Sequence, residues 1–198
     1  MRLPEYKIYD FVKSKEAWIQ SRRRQIEQNR YINQDVLTYN TFYFLGEELR
    51  PLITDQVKKV TKNGGVLYIP HKFATEGDAF IIKKIEKFLR DNAKVIVQER
   101  VEYFSTKLQL AYSTASTNNN KSRWGSCDKD GKISINWRAV MLPPQLFDYI
   151  IVHEFCHLLE FNHSKQFWAI VETILPNWKS IRRHLKQMNW LIGLFRPN

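Results

Sequence analysis

Apolar residues recur in two different rhythms along this chain. From about Gly77 to Thr114, Ile81, Ile82, Ile85, Phe88 and Leu89 return every three or four residues, and Val95, Ile96, Val101, Phe104 and Leu108 carry the stripe onward. That period predicts an amphipathic helix, with a break expected near Asp91-Asn92. Ile8 to about Asn29 reads as an earlier helix, with Phe11, Val12, Trp18 and Ile19 on its apolar side. Between the two the rhythm shortens. Phe42, Phe44 and Leu45 run into Gly46-Glu47-Glu48 and then Leu49 and Leu52, so Thr41 to Leu52 predicts a hairpin. Val66-Leu67-Tyr68-Ile69, between Gly64-Gly65 and Pro70, predicts a strand.

Further along, the polar stretch Ser113 to Ser122, with asparagine at 118–120, predicts a loop. Asp130-Gly131 is a hairpin signal, and Ile133, Ile135 and Trp137 alternate with polar residues behind it. Pro143-Pro144 suits the opening of a helix, whose buried face is Phe147, Ile150, Ile151, Phe155 and Leu158. Ser164 is placed to cap a further helix carrying Phe167, Trp168, Ile170 and Val171, which Pro176 ends. A last helix is expected from about Trp178 to Leu191. The mixture is α+β: an N-terminal helix and small β-rich lobe over residues 1–75, then the main domain over 76–198.

A length of 198 residues suits one domain, or one with a small appendage, and a 43% hydrophobic content is ordinary for a buried core. No run of 18 apolar residues occurs, and Met1-Arg2-Leu3-Pro4-Glu5 lacks the start of a signal peptide. The expectation is a cytoplasmic protein with no membrane partner. Cys127 and Cys156 are too few for a disulfide framework and form no CxxC pair. Lys and Arg number 31 against 20 Asp and Glu, a net charge of +11. Such a balance favours acidic partners, nucleic acid among them, or is a solvated basic surface. No nucleic-acid motif accompanies it.

One segment carries specific chemistry. His153-Glu154-Phe155-Cys156-His157 is HExxH. Histidines four apart lie on one helix face and can share one zinc ion. Glu154 is then placed to serve as general base toward a zinc-activated water attacking a peptide carbonyl. Three protein ligands and an open position are usual for catalytic zinc. His163 is the leading third ligand. It lies six residues past His157, roughly 9 Å further along the axis if the helix continued, so the chain must double back. Leu158 to Asn162 must contain the turn, and Asn162 readily takes a left-handed conformation. The spacing matches the start of HExxHxxGxxH, with Glu160 in place of the glycine. Glu172 is a rival third ligand, and Glu160 or Glu172 is a candidate to orient a histidine. His71 and His184 stand outside the motif and read as surface residues. An ordinary structural reading of the motif must bury His and Glu unpartnered in an apolar helix, which is costly. Lys132 to Trp137 is a candidate edge strand for pairing with an extended peptide. Arg123 and Asn136 are candidates for binding substrate or a developing oxyanion.

Lys121-Ser122-Arg123-Trp124-Gly125-Ser126-Cys127, Asn136-Trp137-Arg138, Asp148-Tyr149-Ile150-Ile151-Val152-His153-Glu154 and Asn162-His163-Ser164 with Phe167-Trp168 together resemble the YgjP-like family of zinc metallopeptidases. The resemblance covers roughly Lys121 to Leu185, with looser similarity at Phe11 to Ile19 and Phe44-Leu45-Gly46. It implies a zincin-like catalytic domain related to the SprT and WLM groups, one zinc ion on His153, His157 and His163, Glu154 as the catalytic residue, and a peptide or protein substrate. Family members usually begin with an additional β-hairpin, so a shortened N-terminal lobe is expected here. The SprT likeness also suggests an alternative, a nucleic-acid-associated zinc protein acting on DNA-bound proteins or binding without turnover. A zinc-stabilised structural or toxin–antitoxin-like partner is a third reading.

Overall fold

The computed structural model describes residues 42–195, together with Lys13, Lys15, Glu16, Gln20 and Ser21. The helix expected over residues 8–29 otherwise lies outside the described residues. Strands β1 (Phe42–Phe44) and β2 (Glu47–Thr54) form the expected antiparallel hairpin. Its turn is Leu45-Gly46, at φ 49° and 78°, the left-handed pair that matches strand twist. Glycine is needed at position 46 for a second reason: a Cβ there would lie 2.7 Å from Pro143 Cα. The turn docks on the segment leading into the HExxH helix, with Leu45 N donating to Val140 O at 2.6 Å. Strands β3 (Thr61–Asn63) and β4 (Val66–Pro70) complete a sheet of order β1-β2-β4-β3, in which β2 and β4 run parallel.

Helix α1 (Asp78–Leu108) is unbroken, contrary to the break expected near Asp91-Asn92. Local pairing explains its continuity. Glu86–Arg90 and Lys87–Asp91 are ion pairs one turn apart, each at 2.7 Å, and Asn92 donates to Phe88 O at 2.7 Å, within the helix. The buried series Ile81, Ile85, Leu89, Ala93, Val97, Val101 and Phe104 passes straight through. The helix stops short of Thr114 because Gln109 turns left-handed, at φ 55°.

The stretch read as a loop is partly a strand. β5 (Thr114–Asn118) pairs parallel with β7 (Lys132–Asn136), and β6 (Gly125–Cys127) pairs with β7 from the other side. The sheet order is β5-β7-β6, so Lys132–Asn136 is the central strand, not the edge strand expected. Polar side chains disguise β5, and they serve its pairing: Ser116 and Asn118 hydrogen-bond Ser134 at 3.3 and 2.9 Å. Trp137 begins a short 3-10 helix rather than ending the strand.

Three helices follow among the described residues. α2 (Pro144–Cys156) opens on its proline as expected. α3 (Lys165–Ile174) is capped by Ser164, whose Oγ accepts from Phe167 N at 3.2 Å. α4 (Trp178–Gln187) leads into a 3-10 turn at Asn189–Gly193. Arg100 on α1 grips Asp148 on α2 with two bonds of 2.8 and 2.7 Å, a planar fork on a carboxylate. Among the described residues, one apolar cluster from Phe42 to Leu194 is shared by the two sheets and by α1 to α4. The α+β expectation holds, with the HExxH helix against the hairpin of β6 and β7. Among the described residues, no helix is long and apolar enough to cross a membrane.

Candidate metal centre

The last turn of α2 carries His153 and Glu154, and the helix ends at His157. The chain then reverses. Leu158 N donates to Phe155 O at 3.0 Å and Leu159 N to Cys156 O at 3.1 Å, the tighter three-residue winding common at helix ends. Asn162 does not take the left-handed conformation expected of it: Leu45, Gln109 and Phe195 are the non-glycine residues with positive φ among those described. Glu160, standing where HExxHxxGxxH has glycine, holds the turn instead. Its carboxylate accepts from Asn162 N at 3.3 Å, and its carbonyl lies 3.2 Å from His157 Nδ1. An amide-to-carboxylate bond replaces backbone freedom as the means of making the turn.

The reversal brings His163 back. Its Nε2 lies 3.0 Å from His153 Nε2, and the donor atoms of His153, His157 and His163 all fall within 4.8 Å of one another. Phe167, fully buried on α3, is the floor beneath them, its ring centroid 4.9, 4.6 and 4.8 Å from the three imidazoles. Trp168 stacks on His163 at 5.6 Å and on Trp178 at 4.4 Å. The sequence pattern puts Phe167 and Trp168 on a buried helix face and gives no sign of this role.

The electrostatics favour neutral rings at His153 and His163. Burial, then the neighbouring histidines and Arg182, push His153 down to about 3. His163 is lowered for the same reasons, burial first. Neutral imidazoles keep a lone pair for a cation. His157 Nδ1 faces the Glu160 carbonyl, an acceptor, so its Nε2 is the nitrogen turned toward a cation if one binds. His153 Nδ1 is buried with no partner among the described residues. An orphaned polar atom costs about 1–3 kcal/mol, a strain typical of working sites. Three imidazoles on an apolar floor fit a borderline-soft divalent cation such as zinc.

Glu154 is buried beside them, and desolvation pushes its carboxyl up to about 8 against the opposing pull of Arg123. It rests on Gly125 at the start of β6, where a Cβ would stand 2.5 Å from its Oε1. Local sequence carries no signal of that contact. A cleft of about 460 Å³ opens along β6 from Ser122 to Cys127 and is walled opposite by His153, Glu154, His157 and His163. A larger hollow, about 600 Å³, lies between β3 and the first half of α1 and holds none of these residues.

Arg123 is exposed on the cleft wall. Asn136 is not brought to the cleft. It is fully buried, its amide donating to Asn120 O at 2.8 Å and Arg123 O at 3.2 Å, and its oxygen accepting from Arg138 N. The preceding loop is tied down in the same way: Asn119 Oδ1 accepts from Trp137 Nε1 and from buried Arg138 at 3.0 and 2.6 Å. Glu172 is likewise elsewhere, in an exposed ion pair with Lys179 at 3.4 Å, and is absent from the histidine cluster. His71 and His184 are exposed, as expected. Cys156 is a buried free thiol; Cys127, on the cleft wall, is pushed up to about 11 by burial, Glu154 and Asp128, too high for a nucleophile at neutral pH.

No curated protein matches the chain. Among solved structures, the metallopeptidase zymogen of Pyrococcus abyssi abylysin aligns at 23% identity and a TM-score of 0.43, covering 46% of this chain and 93% of that one. The metallopeptidase zymogen of Methanocaldococcus jannaschii jannalysin aligns at 19% identity and 0.41, covering 46% and 95%. The family model for the YgjP-like metallopeptidase domain matches residues 1–188, nearly the whole sequence, and the chain belongs to that family.

Proposed function

We propose that the protein is a zinc peptidase that hydrolyses peptide bonds, with His153, His157 and His163 as metal ligands and Glu154 as general base. The observation that carries this is the convergence of three imidazole donors within 4.8 Å, beside a buried carboxyl on the wall of an open cleft. A zinc ion there supplies Lewis acidity, lowering the pKa of bound water toward ~7. The remaining steps belong to the chain. Glu154 takes the proton of the attacking water and delivers it to the leaving amine. A carboxyl already held near neutrality by burial suits both the uptake and the release.

Substrate positioning falls to β6. It is an edge of its sheet and lines the cleft, whereas β7 is paired on both sides. An extended peptide is able to add beside β6 through main-chain bonds. Arg123 lines the cleft, and its positive charge is felt at Glu154, so it suits a carbonyl gaining negative charge. Asn136 supports this indirectly, by clamping the backbone carbonyl of Arg123. Tyr149, whose ring lies 5.9 Å from His153 and whose phenol burial pushes up to about 12, keeps its proton. The nucleic-acid alternative rests on the net charge of +11 and the SprT likeness of the sequence.

Chelation tests the reading. Purified protein should lose activity on a denatured polypeptide when zinc is stripped and regain it when zinc is restored. Activity indifferent to chelator would overturn the proposal.

A further inference from the structure

A second, smaller cavity adjoins the metal cleft. It has a volume of about 200 Å³, lies between α2 and α4, and shares Trp124, His153, Glu154 and Asn189 with the cleft. Two of the shared residues are joined, Trp124 Nε1 donating to Asn189 Oδ1 at 2.8 Å. The size suits a single side chain rather than a whole ligand, for which cavities of roughly 300–1,000 Å³ are usual.

Its walls have two characters. Tyr149, Ile150, Trp124 and Leu185 are apolar. Arg182 and Lys186, one turn apart on α4, supply two cations at the other side. Neither forms an ion pair among the described residues. Arg182 is held in place by stacking on Trp168, its guanidinium 4.8 Å from the ring centroid. A preset cation at the end of an apolar slot is matched by a short apolar stem ending in a carboxylate. Glu154 and His153 line one edge of the cavity, and the two cations stand at the α4 end. The +11 net charge of the chain attracts the same class of ligand.

We propose that this cavity is a specificity pocket for an acidic side chain, glutamate or aspartate, next to the scissile bond, with Arg182 and Lys186 as the selecting residues. The proposal rests on the peptidase reading for its meaning but not for its test. The probes are acetylated, amidated alanine pentapeptides with a central glutamate or its glutamine isostere. Binding to chelator-treated protein, which holds peptide without turnover, is followed by NMR at the indole N–H of Trp124. The glutamate peptide should bind about two- to fivefold tighter at low salt, the size of a solvent-exposed charge pair. Arg182→Gln with Lys186→Gln should equalise the two peptides, and Arg182→Lys should keep most of the preference. Equal affinities in the wild type, no binding of either peptide, or a preference that survives the double change would overturn the pocket. Hydrolysis of the same peptides by zinc-loaded protein is scored separately. Preference without cleavage contradicts the peptidase reading alone, and cleavage without preference contradicts the pocket alone.

Discussion

Glu154 lies against the bare Cα of Gly125, and a methyl group built there would sit 2.5 Å from Oε1 and 2.9 Å from both Cγ and Cδ. The edge strand that borders the cleft thus sets the position of the carboxyl. Gly125→Ala must displace Glu154 along most of its length. A shift of about 1 Å at a catalytic group costs on the order of a hundredfold in rate. We expect that loss in kcat with zinc content unchanged, measured by peptidase assay and metal analysis of the same sample. Full activity in the alanine variant would mean that the carboxyl has room to move without consequence.

The elevated Glu154 carboxyl makes a prediction for metal-free protein. Its folded value of about 8 lies above the ordinary 4.5, so the native state holds a proton that the unfolded chain has released between those values. The neutral buried acid is tolerated below pH ~4.5, and stability is lost as pH rises through the interval to ~8. Glu154→Gln removes the titration. Its melting temperature should exceed that of the wild type at pH 8 and approach it at pH 5. A gap that is constant with pH would contradict the desolvated carboxyl.

His163 and Glu172 are rivals for the third ligand position by sequence, and the geometry separates them. His163→Ala should weaken zinc binding by more than the ten- to hundredfold typical of losing an outer-shell partner. Glu172→Ala should leave it unchanged, because Glu172 pairs with Lys179 at 3.4 Å, away from the histidines. Competition against a chromophoric chelator reads both. Equal losses would place Glu172 at the metal.

Phe167 joins the fold to the site. Removing its ring should lower stability by about 3–5 kcal/mol, as for other buried phenylalanines. It should also lower zinc affinity, because all three imidazoles rest on it. Denaturant unfolding with and without zinc tests both parts. A variant that is destabilised but binds zinc as the wild type does would make Phe167 a core residue and nothing more.

Sequence pattern reaches furthest where the signal is local. Pro143-Pro144, the apolar face of α2 from Phe147 to Phe155, the Ser164 cap and the six-residue offset from His157 to His163 are each written within a few residues, and each matches the structure, while Leu158, expected on the same face, lies past the helix end. It fails where partners are distant or unusual. β5 is polar, and it becomes a strand because Thr114 meets Lys132 and Asn118 meets Asn136 across a parallel pairing. That same pairing turns β7 into a central strand. The residue type of Asn162 permits a left-handed turn, but the carboxylate of Glu160 makes the turn another way. Asn136 reads as a polar residue near the site, and its burial against the Arg123 carbonyl emerges only in three dimensions. The Gly125 contact with Glu154 joins residues on a strand and a helix, and no periodicity encodes it.

Zinc stoichiometry and peptide hydrolysis, measured together in the wild type and in Glu154→Gln, decide the role of Glu154. One zinc per chain is expected in both proteins, with hydrolysis in the wild type alone. Hydrolysis by the glutamine variant at the wild-type rate, or a wild type that binds no zinc, would contradict a metal-bound water activated by this carboxylate.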